Sequence, residues 1–193
     1  MRILVTGSQG CGKTTFCQKV IESVRLEGGR IGGVLAPAVY FDRYHVGADA
    51  IDLASGRSAP ITRPALEDDS PRAIDGSRWI MVRQGLDLAR EALEWAIRHP
   101  CDLIVVDEFG PLELAGGGIR EQAIDAWNSG RDVLLVVRSA IADEAISALG
   151  RPPDVRLVPE AAPVANVGTG IRACRPVSVH AHRRPALLAL ARA

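Results

Sequence analysis

The sequence predicts an α/β fold in three layers, with a mainly parallel central sheet between helices and a β-hairpin inserted in it. Three observations carry this reading. Residues 2–6 form a short run of leucine and β-branched residues, and from Gly12 the apolar residues switch to helical spacing at Phe16, Val20, Ile21 and Val24. Residues 103–106 and 133–137 are continuous apolar runs, the pattern of strands covered on both faces. Helical patterns separate these runs, so strand and helix alternate along the chain.

Taken in order, the opening strand and helix end at Gly28 and Gly29, where glycine accepts the left-handed conformation that closes a helix. Residues 31–56 hold two extended runs around the polar turn Asp42-Arg43-Tyr44, which predicts the hairpin. Residues 55–78 hold three prolines and many charges and read as a long mobile loop. Residues 79–82 return to a strand, and Leu86, Ala89, Leu93 and Ile97 mark one face of a helix that Pro100 ends. Residues 119–128 read as a helix closed by Gly130, and residues 140–149 as another. Beyond Arg151 the pattern weakens into short strands near 155–158 and 177–180 and a helix from about Pro185. The 193 residues suit one well-cored domain over 1–193, with 151–193 its weakly patterned C-terminal part.

Lysine plus arginine and aspartate plus glutamate both number 23, so net charge points to neither nucleic acid nor an anionic membrane as partner. Any anion site must be local. Cys11, Cys17, Cys101 and Cys174 form no CxxC pair or zinc spacing, which suits free thiols in a reducing compartment. The chain opens directly into an apolar strand without a charged leader, and no apolar run approaches the roughly 20 residues a bilayer requires. A cytoplasmic protein is expected.

The most informative stretch is Gly7-Ser8-Gln9-Gly10-Cys11-Gly12-Lys13-Thr14, which fits G-x-x-x-x-G-K-[ST] between a strand and a helix. This is a P-loop. Its glycines let successive backbone N–H groups turn toward phosphate oxygens, and the helix that starts there adds its positive end. Lys13 supplies a mobile charge to the β- and γ-phosphates, the Thr14 hydroxyl can ligate Mg²⁺, and Thr15 suits the α-phosphate. Cys11 has two readings, a thiol activated at a helix N-terminus or simply a small loop residue, and the second is favoured. A P-loop enzyme also needs a carboxylate at the end of a buried strand to hold Mg²⁺. Asp107 occupies that place, and Glu108 beside it suits the polarisation of an attacking water, with loop support or partner binding as its plainer alternative.

Residues 107–114, Asp-Glu-Phe-Gly-Pro-Leu-Glu-Leu, resemble the second motif of the small P-loop nucleoside-triphosphatases of the thermophile and cancer-related type, which reads D-E-[IF]-G-x-[ML]-E. Gly33-Val34-Leu35, Val46-Gly47-Ala48-Asp49 and Leu53-Ala54-Ser55-Gly56 look like degenerate versions of that family's hairpin motifs. The resemblance covers about residues 1–150. It implies a P-loop NTPase fold and hydrolysis of a nucleoside triphosphate to the diphosphate and phosphate with Mg²⁺. The chain departs from the family in three places. Ala38 to Arg43 replaces a Glu-Val-Arg strand, so a phosphate contact by Arg43 is open. Arg138 and Ser139 follow Val137 where histidine is common, and Arg138 either senses the γ-phosphate or caps its strand edge in solvent. The family's Asn-Arg near the C-terminus has only Asn166 as a poor substitute. Two other functions stay open: a nucleotide or small-molecule kinase with residues 55–78 as its lid, and a partner-controlled accessory NTPase in cofactor assembly. A homo-oligomer is equally open, and base preference cannot be read.

Overall fold

Side-chain alternation along the apolar strands decides the layering, because successive residues of a strand point to opposite faces of the sheet. In β8 (Val133–Arg138), Leu134 and Val136 enter one core while Val133, Leu135 and Val137 enter the other. The first core is closed by α1 (Lys13–Leu26) through Cys17, Val20, Ile21 and Val24. The second is closed by α2 (Arg83–Arg98), α4 (Arg120–Asn128) and α5 (Ala142–Leu149), with Leu88, Leu93, Trp127 and Leu149 filling it. Each such leucine, isoleucine or valine stabilises the fold by about 1.5–3 kcal/mol relative to an exposed position. The predicted three layers are therefore present.

The computed structural model describes residues 1–66 and 79–159. Within them β1 (Arg2–Gly7), β2 (Ile31–Leu35), β7 (Leu103–Phe109), β8 and β9 (Val155–Leu157) form the parallel part of the sheet, in the order β2-β7-β8-β1-β9. Antiparallel strands extend it beyond β2: β4 (Tyr44–Asp52), then β5 (Ser58–Pro64), then β6 (Trp79–Met81), with β3 (Ala38–Phe41) paired to β4. The hairpin is β3–β4, and its turn is Asp42–Arg43, whose φ values of 47° and 69° give the left-handed pair that matches strand twist. Tyr44 already belongs to β4. The stretch before it, read as one extended run, is two strands, since β2 joins the parallel sheet and β3 leaves it after Pro37.

One expectation is overturned. Residues 58–64 are not loop but β5, paired antiparallel to β4 on one side and to β6 on the other. Pro60, which argued against a strand, sits where the β4–β5 ladder shifts register, and Pro64 is the last residue of the strand; both are places a missing N–H is tolerated. The N-terminal turn of α2 covers β5 closely, and a Cβ on Gly85 would run into the Pro60 carbonyl. Residues 67–78 of the predicted loop lie outside the described residues, as do Asn166, Cys174 and the elements expected after residue 159. A one-turn helix, α3 (Pro111–Leu114), follows β7 directly. A 3-10 turn at Ser139–Ile141 occupies the start of the helix expected from residue 140.

Candidate active site

The parallel strands β1, β7 and β8 all end on one edge of the sheet, the edge where ligands of such folds bind. Gly7, the Asp107-Glu108 pair and Arg138 stand at these three ends. The P-loop spans the gap from Gly7 to Lys13. Gly10 and Gly12 take φ values of 76° and 89°, conformations open to glycine at little cost, and open space surrounds the position a Cβ would take on either. From Gly12 the chain enters α1 at once, with the Phe16 N–H donating to the Gly12 carbonyl at 2.8 Å. The amides of Lys13, Thr14 and Thr15 occupy the first helical turn, where no carbonyl precedes them within the helix. No acidic residue stands in that turn to repel an anion, so the loop amides and the helix dipole add there.

Lys13 is 8% exposed, and its Nζ folds back over the loop to donate to the carbonyls of Ser8 at 2.8 Å and Gly7 at 3.2 Å. Ser8, Gln9, Gly10 and Thr15 are exposed around it. The Cys11 sulfur packs against Gly7 so closely that a Cβ on Gly7 would collide with it, which is the role of a small packing residue. Cys17, one turn into α1, is fully buried, and burial followed by the charge of Asp107 holds its thiol well above the usual range.

Between Val106 and Phe109 β7 shifts register against β8, which takes Asp107 and Glu108 out of the regular ladder. Asp107 is 5% exposed; its Oδ2 accepts the Ala36 N–H at 3.2 Å, and the Thr14 side chain stands near enough to favour its charged form. Desolvation pushes its pKa up to about 6, Glu108 adds to the rise, and the Ala36 hydrogen bond, Thr14 and Lys13 oppose it. The Thr14 hydroxyl and the Lys13 charge thus both act on the buried Asp107 carboxylate. Glu108 is 31% exposed at its side chain, and its Oε1 accepts a hydrogen bond from Arg138 Nε at 2.9 Å. Arg138 thus has a partner that neither expected role included. Arg43 lies at the exposed hairpin turn and the structure does not join it to this group.

Glu113 is the residue whose role went unread. It is 7% exposed, and its two carboxylate oxygens accept the backbone N–H groups of Gly110 at 2.8 Å and Ile119 at 3.3 Å. Burial raises its pKa against those two hydrogen bonds. It clamps the segment that follows Glu108, and its signal was present as an acid three residues past the start of a helix, half of a capping box.

The sequence model of a family described as NTPase matches residues 2–159 of this chain. This chain belongs to that family. A nucleoside-triphosphatase THEP1 from Methanothermobacter thermautotrophicus is 29% identical over 157 residues, 81% of this chain and 85% of that protein. Another THEP1, from Hyperthermus butylicus, is 30% identical over 154 residues, 79% of each chain. Two solved structures share the fold. The crystal structure of THEP1 from Aquifex aeolicus superposes with a TM-score of 0.63 at 23% identity, over 84% of this chain and 91% of that one. The solution structure of a human cancer-related nucleoside triphosphatase superposes with a TM-score of 0.57 at 22% identity, over 76% and 83% of the respective chains. The family match ends two residues beyond β9, so it takes in the whole of the described sheet. Among the described residues of this NTPase, no helix is long and apolar enough to cross a membrane.

Proposed function

We propose that this NTPase hydrolyses a nucleoside triphosphate to the diphosphate and inorganic phosphate, with Mg²⁺, at the edge formed by residues 7–15, Asp107 and Glu108. The observation that carries this is the buried Asp107 carboxylate, influenced by Thr14 and Lys13 of the P-loop, with a second, solvent-reached carboxylate next to it in the chain. Mg²⁺ prefers few protein oxygens and keeps the rest of its shell for phosphates and water. The donors fit: a hydroxyl lies near a carboxylate, the carboxylate's charge is disfavoured by burial, and among the described residues no cluster of three or more His, Cys, Asp or Glu competes as a metal cage. Thr14 and Asp107 would hold the ion, which when bound withdraws charge from the β- and γ-phosphate oxygens.

The chain's own groups account for the remaining steps. The amides of residues 8–15 and the α1 dipole bind the phosphates, and Lys13 Nζ exchanges its two carbonyl partners for charged phosphate oxygens, which are stronger acceptors. Glu108 accepts a proton from a water whose oxygen attacks the γ-phosphorus as the bond to the β–γ bridging oxygen breaks and the diphosphate departs. The experiment is phosphate release from NTP and Mg²⁺ with no acceptor present. Glu108→Gln preserves shape and one acceptor oxygen, so it should bind NTP as wild type does and lose about 10²-fold or more in turnover, the scale of a general base. Phosphate transfer seen only after a nucleoside or nucleotide is added would replace this reading with the kinase.

A further inference from the structure

We propose that Arg138 is a positioning residue for this reaction: it holds one oxygen of Glu108 so that the other meets the attacking water. The proposal rests on the hydrolase reading above and adds to it the group that orients the base. Arg138 is the last residue of β8 and lies in parallel register with Gly7, the first residue of the P-loop. On its other side β8 pairs with β7, which carries Glu108. The residue therefore stands between the phosphate-binding loop and the catalytic carboxylate. Strand alternation puts it on the face of Leu134 and Val136, which is also the face of α1.

From that place Nε of Arg138 donates to Oε1 of Glu108 at 2.9 Å, the short distance of a charge-assisted hydrogen bond. Oε1 is thereby engaged, and Oε2 is left to accept a proton. A single bond from a planar guanidinium fixes the torsion of the carboxylate where a freely rotating glutamate would sample many orientations, and misplacement of a reacting group by about 1 Å can cost about 10²-fold in rate. Stability does not explain the contact. The side chains are 43% and 31% exposed, and ion pairs that wet contribute little to folding. Glu108 lies within the register shift of β7 and just before the segment that Glu113 clamps, and its side chain is steered by Arg138 alone among the hydrogen bonds of the described residues.

The test is a double-mutant cycle on acceptor-free phosphate release with Mg²⁺ and saturating NTP, using wild type, Arg138→Ala, Glu108→Gln and the double variant, with triphosphate Kd measured for each. Arg138→Ala should lower kcat by about 10-fold to 10²-fold and leave Kd within about twofold. In the Glu108→Gln background the same change should alter kcat by less than about twofold, because Arg138 acts through the carboxylate. Arg138→Lys retains a donor without the fork, so it should recover part of the rate lost in the alanine variant. Additive losses in the cycle, or a tenfold or greater rise in triphosphate Kd on Arg138→Ala, would overturn the proposal and make Arg138 a phosphate ligand. Unchanged kcat in Arg138→Ala overturns it too, while leaving the hydrolase reading standing. Absence of acceptor-free release by wild type removes both.

Discussion

On β7, Asp107 is 5% exposed with a second carboxylate next in the chain, and its pKa stands at about 6 instead of 3.8, raised mostly by desolvation and further by Glu108. A carboxyl whose folded pKa exceeds its unfolded one binds more protons in the native state, so folding stability falls as pH rises through that interval. The penalty is absent below pH 3.8, grows from there to about pH 6, and is fully present above it. At about 1.4 kcal/mol per pKa unit, the neutral-pH penalty is on the order of 2–3 kcal/mol. Asp107→Asn removes the charge and keeps an acceptor for the Ala36 N–H. Melted in the presence of a chelator, the variant should be more stable than wild type at about pH 8 and equal to it at about pH 3.5. An equal gain at both pH values would mean that shape and not charge is responsible. The same substitution should abolish Mg²⁺-dependent hydrolysis, a case in which a functional residue holds stability below its maximum.

At the scale of elements, Gly85 shows what sets the limits of β5. The N-terminal turn of α2 approaches that strand so closely that a side chain at residue 85 meets the Pro60 carbonyl and the Ile61 backbone. Gly85→Val should destabilise the protein by about 1–3 kcal/mol, the usual cost of overfilling a packed contact. Amide exchange should rise first in residues 58–64. Uniform acceleration across β1, β7 and β8 instead would place the strain elsewhere. This packing also explains why β5 was not legible in the sequence: Pro60 and Pro64 signal loop, and only the register shift in β4 and the cover of α2 make a strand of them. By contrast β1, α1, α2, β7 and β8 were legible because each carries its own periodicity, with continuous apolar runs for central strands and three-to-four spacing for helices. The P-loop and the Asp107-Glu108 pair could be read for the same reason, as both are local strings at a strand end. The Arg138–Glu108 bond could not, since it depends on how two strands 30 residues apart are registered.

For the whole molecule, one sheet divides two cores, and α1, which begins at the P-loop, closes only one of them. Leu134 and Leu135 are adjacent in β8, 1% and 0% exposed, yet Leu134 packs in the cluster of α1 and Leu135 in that of α2, α4 and α5. Either leucine cut to alanine should cost about 2–5 kcal/mol. For a domain of this size that is a fall of about 4–20 °C in melting temperature. If residues 1–193 behave as the single domain we propose, both variants should show one cooperative transition, since every central strand serves both cores. Their effects on the site should differ. α1 carries the P-loop at its N-terminus, so a cavity under it in Leu134→Ala loosens the phosphate-binding amides, whereas Leu135→Ala acts on the opposite layer. Triphosphate at 100 times its Kd should stabilise the folded protein by about 2.7 kcal/mol. That gain should persist in Leu135→Ala at the wild-type ligand concentration and shrink in Leu134→Ala as its Kd rises. Calorimetric scans with and without a non-hydrolysable triphosphate measure both quantities together. Two separate transitions in either variant would break the single-domain reading, and an equal loss of ligand stabilisation in both would show that the two layers do not act independently on the site.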